Sequence, residues 1–335
     1  MTRSTAMDEA AENGAEAYDV VVVGGGAAGL SGALALSRAR RSVLVIDSGE
    51  PRNAPSDGVH VYLGREGTPP AELMADGRAE IRRYGAQLRT GRVVSAERDG
   101  TGFRLTLADA SVVRARRLLV TSGLVDELPD VPGLAELWGK DVLHCPYCHG
   151  WEVRDRRIGV LATGPLAVHQ ALLWRQWSDD VTLFLHTAPE PDDESYEQLA
   201  ARGVAVVDGK VDELVAAEGR LTGVRLASGE EFGVSALAVA TRMSARADWL
   251  APLGLDLADQ AVQGTVVGRH IPTDPTGRTD VPGVWAAGNV AEVSAQVIVS
   301  AAAGVRAGAA INADLVTEDT RQAVAARRAG RPLGD

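Results

Sequence analysis

The chain has 335 residues, of which 45% are hydrophobic and 24% charged, and its formal net charge is −11 at pH 7. This length and apolar content suit two globular domains, and the negative charge argues against binding to nucleic acid or to an anionic membrane surface. Two cysteines are too few for a secreted disulfide scaffold and are more typical of a cytosolic redox pair, so we expect a cytoplasmic protein.

We do not expect the N-terminal segment to be a signal peptide. Residues 1–17 are acidic and alanine-rich, and they lack the basic start and apolar run of a signal peptide. We predict that this segment is a disordered tail. Elsewhere the sequence has no apolar run long enough for a transmembrane helix, so we expect no membrane partner.

The segments after the tail predict a strand–loop–helix–strand unit. The β-branched run 18–23 is typical of a buried strand, and it leads into a glycine-rich loop over 24–29. A helix over 30–38 and a second strand over 42–46 follow. This order is the one found at the start of a dinucleotide-binding Rossmann fold.

The loop has the G-x-G-x-x-G spacing at Gly24, Gly26 and Gly29. Glycines at these positions allow a tight turn, the close approach of a pyrophosphate and close packing of helix on strand, and the helix N-terminus offers free N–H groups to phosphates. Asp47, 23 residues after the first glycine, is placed to accept hydrogen bonds from ribose hydroxyls. The predicted cofactor contacts also include Ala27, Ala28, Ser48 and Arg52.

A second pattern near the C-terminus indicates which dinucleotide binds. Residues 281–289 predict a strand that closes on a turn, and residues 295–313 predict a helix rich in small side chains. This pattern resembles the second FAD fingerprint of the two-dinucleotide flavoprotein disulfide reductases. In that family an aspartate at the end of the pattern holds the ribityl chain, whereas this chain has Asn289, which still hydrogen-bonds a hydroxyl but carries no charge.

The same resemblance implies further FAD contacts. Gln296 and Val297 match the family residues that meet the flavin ring, and Gly288 precedes the ribityl position. The run 118–123 resembles the family's strand that crosses between domains near the flavin, which adds Thr121 and Gly123.

Both cysteines lie in the stretch His144-Cys145-Pro146-Tyr147-Cys148-His149. We interpret the Cys-x-x-Cys pair as a redox-active disulfide, because Pro146 restricts the backbone and helps to hold both sulfurs within bonding range. A neighbouring histidine can carry the proton that thiol chemistry moves. Two ordinary buried cysteines are one alternative. A zinc site is another, but four ligands within six residues can hardly surround a tetrahedral metal and no second ligand pair occurs. We predict Cys145, Cys148, His149 and His144 as catalytic residues and no metal.

Nearly the whole chain resembles the low-molecular-weight thioredoxin reductases, since four motifs occur in that family's order. The resemblance implies an α/β fold with two Rossmann-like, three-layer dinucleotide-binding domains, the second inserted in the first, together with FAD and a homodimer. We expect a discontinuous FAD domain over 18–121 and 243–318, an inserted domain over 122–242 that carries the cysteine pair, and a polar tail over 319–335.

The inserted domain departs from the NADPH-using pattern. Those reductases have G-x-G-x-x-A where this chain has residues 162–167; Ala162 replaces the first glycine, and Pro165 removes an N–H group where phosphates would dock. After the next predicted strand, over 180–185, His186 and a run of acids stand where the reductases place arginines for the 2′-phosphate. We therefore predict a retained scaffold with a degenerate nucleotide site, and weak NADH use stays open.

The cysteine motif departs as well, because His149 stands where thioredoxin reductases carry an aspartate as proton donor. Residues 145–152 closely resemble the FAD-dependent dithiol oxidases that close the disulfides of gliotoxin- and holomycin-type natural products. In that group, electrons pass from a small-molecule dithiol to the enzyme disulfide, to FAD and then to O₂, which yields H₂O₂. Two alternatives remain: an NAD(P)H-dependent disulfide reductase, and a flavin-bound redox sensor without turnover.

Three further features have weaker interpretations. Trp174 and Trp177 favour core packing or a dimer face, with a wall of a substrate pocket as the alternative. The irregular stretch 49–70, with His60, is placed to cover the flavin. His169 is interpreted as an ordinary surface or structural histidine.

Overall fold

A computed structural model describes residues 16–330. The first domain is built on a seven-stranded sheet in which β3, β2, β1 and β6 run in parallel. Strand β6 pairs along its other edge with antiparallel β5 and then with parallel β19, and β4 completes the sheet beyond β5. The elements are β1 (Glu16–Val23), α1 (Ala27–Arg38), β2 (Val43–Asp47), α2 (Pro70–Arg83), β3 (Gln87–Thr90), β4 (Val93–Asp99), β5 (Gly102–Leu107), β6 (Val112–Val120), β19 (Val284–Ala286) and α7 (Val297–Arg328).

The second domain has a five-stranded parallel sheet in the order β11-β10-β9-β15-β8, with an antiparallel three-stranded sheet, β12-β13-β14, packed beside it. Its elements are α3 (Leu134–Leu137), β8 (Val142–Leu143), α4 (Pro146–His149), β9 (Ile158–Leu161), α5 (Ala167–Trp174), β10 (Val181–Phe184), α6 (Asp193–Ala201), β11 (Ala205–Val207), β12 (Val211–Ala217), β13 (Arg220–Leu226), β14 (Glu231–Phe232) and β15 (Ala236–Val239). The predicted pair of Rossmann-like α/β domains is therefore confirmed.

Two antiparallel strands carry the chain into and out of the second domain. They are β7 (Leu124–Glu127) and β16 (Arg242–Ala245), which pair with each other. With β17 (Ala258–Val262) and β18 (Thr265–His270) they form a four-stranded sheet. Two short 3₁₀ helices, Asp248–Leu253 and Gly288–Val290, complete the architecture. None of the helices within residues 16–330 combines the length and the hydropathy that a bilayer crossing requires.

The last helix is longer than the sequence pattern indicated. We expected a helix over 295–313 and a polar tail from residue 319, but α7 continues to Arg328. Asp319 on this extension accepts hydrogen bonds from Arg41 at 2.7 Å and from Arg116 at 2.5 Å, and both arginine side chains are largely buried. These ion pairs tie the extension to the first domain, so the predicted tail is wrong for 319–328. Residues 1–15 of the predicted N-terminal tail lie outside the described range, and β1 already includes Glu16 and Ala17.

Helices α1 and α7 touch through their backbones, and this contact positions the glycine-rich loop. A Cβ on Gly304 would lie 2.0 Å from the carbonyl oxygen of Ala28, and a Cβ on Gly32 would lie 3.0 Å from the carbonyl oxygen of Gly304. Any side chain at Gly304 therefore forces the two helices apart.

Replacing Gly304 with alanine is expected to lower the free energy of unfolding by about 3 kcal/mol, because overpacking outweighs the gain in helix propensity of about 1 kcal/mol. Urea unfolding and the FAD content of the purified protein measure this effect. Gly164→Ala is the matched control, since a Cβ there meets no atom within 4 Å. Equal stability of the two variants would contradict this packing.

Candidate active site

One cavity of about 1930 Å³ brings the predicted residues together. It is lined by the loop after β1, the end of β2, the turn after β19 and the cysteine motif of the inserted domain. Of the predicted site residues, all but Gly29 line it: Gly24, Gly26, Ala27, Ala28, Asp47, Ser48, Arg52, Thr121, Gly123, His144, Cys145, Cys148, His149, Gly288, Asn289, Gln296 and Val297. The volume exceeds the roughly 300–1,000 Å³ of ordinary ligand pockets, so a large cofactor leaves room for a second molecule.

The glycine-rich loop has the shape that a dinucleotide requires. Gly24 has φ +112°, and a Cβ there would lie 2.2 Å from the carbonyl oxygen of Thr121. Gly26 faces open space, since a Cβ there would meet nothing within 4 Å. A Cβ on Gly29 would lie 1.9 Å from the carbonyl oxygen of Gly24, which explains why Gly29 packs the loop and does not line the cavity. The open face at Gly26 fits the close approach of a pyrophosphate.

Asp47 and Thr121 both brace this loop. The backbone N–H of Gly25 donates to Oδ1 of Asp47 at 3.0 Å, which leaves the second carboxylate oxygen for a ribose hydroxyl. The hydroxyl of Thr121 lies 2.8 Å from the carbonyl oxygen of Gly24 and is nearly buried. The sequence pattern did not single out Gly25, where a Cβ would lie 2.8 Å from the Asp47 carboxyl carbon.

Asn289 presents an acceptor to the cavity. Its Nδ2 donates to the carbonyl oxygen of Ala295 at 2.8 Å and also lies close to those of Val293 and Glu292. The amide nitrogen therefore holds the turn together, and Oδ1 remains available to a ribityl hydroxyl. This is the hydrogen-bonding role that the aspartate plays in the family pattern, without its charge. These residues and the glycine-rich loop fit FAD.

The cysteine pair lies at the start of a single helical turn, α4. Cys145 caps the turn, and its carbonyl oxygen accepts from the N–H groups of Cys148 and His149 at 3.2 Å each. Pro146 occupies the first position of the turn, where a missing N–H costs nothing. The two Sγ atoms lie 2.7 Å apart, and both side chains are half-buried. The pair is therefore placed to form a disulfide, but burial does not distinguish the two sulfurs.

Electrostatics does distinguish the two sulfurs when the pair is reduced. The S–H of Cys148 and the N–H groups of Cys148 and Tyr147 stabilise a thiolate at Cys145, and despite burial they lower its pKa to about 7. The hydrogen bond to Cys145, burial and the negative charge on Cys145 raise the pKa of Cys148. Arg52 favours the thiolate form of both. The reduced pair therefore holds its charge on Cys145 and its proton on Cys148.

Both histidines of the motif are neutral near pH 7. Burial lowers the pKa of His144, and the nearby charge of Arg52 lowers it further. Burial also lowers the pKa of His149, against the opposing charge of Glu152. The Nδ1–H of His144 donates to the carbonyl oxygen of Val239 at 3.3 Å, which leaves Nε2 as an acceptor. These two neutral imidazoles line the same cavity as the sulfurs and can accept thiol protons.

Arg52, predicted to contact the cofactor, lines the cavity and makes a bidentate ion pair. Its guanidinium donates to both carboxylate oxygens of Asp126 on β7, at 2.6 and 2.7 Å. The hydroxyl of Thr241, just before β16, also donates to Asp126 at 2.8 Å. Burial raises the pKa of Asp126, but these two partners outweigh that effect and its pKa lies below the ordinary value. Asp126 therefore joins the loop that bears Arg52 to both connecting strands.

Other contacts around the cysteines were not predicted. The rings of Tyr147 and Trp177 meet edge to face at 5.6 Å, and Trp177 packs on Gly150. Trp174 is fully buried in the core of the inserted domain, which confirms the core-packing interpretation for that residue. From the irregular stretch 49–70, His60 reaches Glu152 at 3.5 Å and lines the cavity.

The nucleotide loop of the inserted domain shows no feature that requires glycine. A Cβ on Gly164 would meet no atom within 4 Å. At the end of β10, the N–H of Val211 donates to Nδ1 of His186 at 3.1 Å, and burial together with Lys210 lowers the pKa of this histidine. Among the acidic residues that follow, Asp192 caps the first turn of α6, because its carboxylate accepts a hydrogen bond from the N–H of Ser195.

No metal centre is visible within residues 16–330, where no group of three or more His, Cys, Asp or Glu side chains is arranged to hold an ion.

Known proteins resemble the chain over most of its length. Residues 18–308 match the family model of the pyridine nucleotide-disulphide oxidoreductases. The crystal structure of HlmI is 47% identical with a TM-score of 0.86, and the alignment covers 94% of this chain and 98% of HlmI. Thioredoxin reductase tcpT of Claviceps purpurea is 33% identical over 81% of this chain and 86% of its own length. Thioredoxin reductase sirT of Leptosphaeria maculans is 30% identical over 88% of this chain and 93% of its own length. The chain binds FAD, acts as an oxidoreductase on disulfides or dithiols, and belongs to the pyridine nucleotide-disulphide oxidoreductase family.

Proposed function

We propose that the chain is a dithiol oxidase that forms an intramolecular disulfide in a small-molecule, natural-product dithiol. Electrons pass through Cys145 and Cys148 to FAD and then to O₂, which yields H₂O₂. The observation that carries this proposal is one cavity that holds the FAD-binding residues, the cysteine pair and two neutral histidines. The homodimer and the cytoplasmic location implied by the sequence belong to the same proposal.

The reaction begins from a Cys145–Cys148 disulfide. A substrate thiolate attacks Sγ of Cys145, which breaks the disulfide, forms a mixed disulfide and releases Cys148 as a thiolate. The second substrate thiol loses its proton to a histidine and attacks the substrate sulfur bonded to Cys145. The substrate leaves as a disulfide and Cys145 leaves as a thiolate, which its pKa of about 7 favours.

The pair is then reoxidised. Because the pKa of Cys148 is raised, its thiolate takes up the proton that the histidine received from the substrate, and the histidine, neutral again, is then needed to remove that proton. Cys148 then gives up the electron pair as Cys145 closes the disulfide with it. When bound, FAD would supply the acceptor for these two electrons, which O₂ would finally receive with two protons as H₂O₂.

Features of the inserted domain favour assignment of the chain as an oxidase and not as a reductase. Its loop at 162–167 lacks the first glycine of the nucleotide pattern, and the side chain of His186 is engaged with the backbone. Asp126, bonded to Arg52 and Thr241, also ties both connecting strands to the first domain. This favours a fixed inserted domain that keeps the cysteines in the shared cavity.

Product stoichiometry tests this proposal. With purified protein in air, a small dithiol such as dithiothreitol is expected to be oxidised with consumption of one O₂ and formation of one H₂O₂ per disulfide. An oxygen electrode and a peroxidase-coupled assay measure both quantities. Dithiol oxidation without O₂ consumption, or a single stoichiometric reduction of the flavin, would contradict an oxidase and favour the redox sensor.

A second candidate is an NAD(P)H-dependent disulfide reductase. Two observations favour it: the curated relatives are thioredoxin reductases, and Lys210 lies close enough to lower the pKa of His186 at the end of β10. A cation beside β10 is the kind of group that holds a 2′-phosphate. Flavin reduction by NADPH within seconds would establish this function.

A further inference from the structure

The loop between β2 and α2 brings a third histidine into the cavity beside the cysteine motif. Its segment 59–68 is closed at the base by a bridge in which the N–H of Val59 donates to the carbonyl oxygen of Thr68 at 2.8 Å. Gly58 and His60 both line the cavity. A Cβ on Gly58 would lie 3.2 Å from Nε2 of His60, so the glycine leaves room for the imidazole.

Glu66 fixes which nitrogen of His60 carries a proton. Oε1 of Glu66 lies 2.6 Å from Nδ1 of His60, and this hydrogen bond lowers the pKa of the Glu66 carboxyl. Because an ionised carboxylate only accepts hydrogen bonds, Nδ1 is the protonated nitrogen. In neutral His60, Nε2 is therefore the atom that can take up a further proton.

Backbone strain at the next residue accompanies this arrangement. Val61 has φ +57°, a left-handed conformation that is rare for a β-branched residue. Its N–H donates to Oε2 of Glu66 at 2.8 Å, so both oxygens of Glu66 are bound within the loop. Strain of this kind persists only where the surrounding structure maintains it, and it is concentrated at functional sites. The strained turn holds Glu66 against His60.

The imidazole of His60 faces the segment that follows the cysteines. Its Nε2 lies 3.5 Å from Oε1 of Glu152, and Glu152 is three residues beyond His149. A proton on Nε2 creates an imidazolium between the carboxylates of Glu66 and Glu152, which stabilise its charge. Burial lowers the pKa of His149 and, against the charge of Glu152, the positive charge of His60 lowers it further. The two histidines are thus within electrostatic reach of each other.

These groups become more exposed with distance from the cysteines. The side chain of His60 is 20% exposed, whereas that of Glu66 is 64% exposed. A proton held by His60 is therefore one residue away from bulk water.

We infer that His60 carries the proton of His149 to solvent. This inference rests on the proposed dithiol oxidation, which leaves a proton on the histidine that deprotonates Cys148. That histidine must be neutral again before the next turnover. The imidazolium of His149 gives its proton to Nε2 of His60, directly or through a water molecule, and His60 releases it to solvent beside Glu66. No electron moves in this step. We call His60 and Glu66 the proton relay.

The dependence of turnover on buffer concentration tests the proton relay. His60→Gln retains a hydrogen-bond donor for Glu66 but cannot transfer a proton. With dithiothreitol in air and dilute buffer, we expect its kcat to be about tenfold below that of the native enzyme. Addition of imidazole should restore kcat, because a small base then replaces the side chain. Arg65→Gln is the matched control, since it breaks the 2.9 Å ion pair of the same loop with Asp76 and should keep the native kcat at every buffer concentration.

A titration measures the link between the two histidines without turnover. In imidazole NMR spectra, the pKa of His149 is expected to rise in His60→Gln, because a positive charge that lowers it is removed. Glu152, Asp57 and His144, whose charges also act on His149, are unchanged in this variant. An unchanged titration of His149 would place the two histidines too far apart for proton transfer and would overturn the proton relay.

Other outcomes overturn the proton relay and leave the oxidase standing. A native kcat of His60→Gln in dilute buffer refutes it. A loss of activity that imidazole does not restore assigns His60 to the structure of the loop, and loss of FAD assigns this residue to the cofactor. Absence of O₂ consumption by the native enzyme refutes the oxidase and the proton relay together.

Discussion

Replacing Cys148 with serine is expected to abolish dithiol oxidation, with kcat lowered at least about a thousandfold. The variant retains Cys145, so a single sulfur remains and no enzyme disulfide can form. The electron pair then has no route from the substrate to the cofactor. Stopped-flow absorbance of the flavin under anaerobic conditions, after addition of dithiothreitol, measures the step directly.

Two controls separate chemistry from folding. The FAD content and the melting temperature of Cys148→Ser should match those of the native chain, because Cys148 is half-buried on a short helical turn and packs no core. Cys145→Ser should be equally inactive. Flavin reduction at the native rate in either variant would show that the cysteines are not the electron carriers.

Replacing His149 with alanine is expected to slow turnover about a hundredfold while FAD stays bound, since general base catalysis typically contributes a factor of this size or more. Burial keeps the imidazole neutral by lowering its pKa below 6.5, so it accepts protons at neutral pH. His144→Ala tests whether Nε2 of His144, oriented by Val239, performs the same task.

The pH dependence of kcat shows whether a neutral histidine acts as the base. Each histidine is active when neutral, so kcat should fall as the pH is lowered through its depressed pKa, below 6.5. In a series of kcat values between pH 5 and 8, the part of this limb below 6.5 should weaken in each single variant and be lost in the double variant, which leaves the titration of Cys145 near 7. An unchanged acid limb in the double variant, or loss of FAD in proportion to activity, would assign both histidines a structural role.

The first nucleotide site was predictable from the sequence because its residues are constrained by the backbone. Gly24 needs its positive φ and Gly29 has no room for a Cβ, so the glycine spacing reports local geometry. The cysteine motif was predictable for a similar reason, since its six residues form one helical turn. Asn289, predicted to bind the cofactor, lines the cavity, although the use of its amide nitrogen within the turn emerged only from the structure.

Features that depend on distant partners were not predictable. The ion pair of Arg52 joins it to Asp126, a residue far along the chain, and no local pattern indicates it. The extension of α7 depends on Asp319 meeting Arg41 and Arg116. The sequence of α5 does not show which of its sides lines the cavity, because only tertiary packing places His169, Gln170 and Leu173 there.

An anaerobic visible spectrum of the yellow protein, titrated separately with a small dithiol and with NADPH, tests the central claim most directly. If the dithiol bleaches the flavin, NADPH does not, and admission of air restores the colour with formation of H₂O₂, the chain is a dithiol oxidase as proposed. If NADPH bleaches the flavin within seconds, the inserted domain binds nicotinamide and the chain is a reductase.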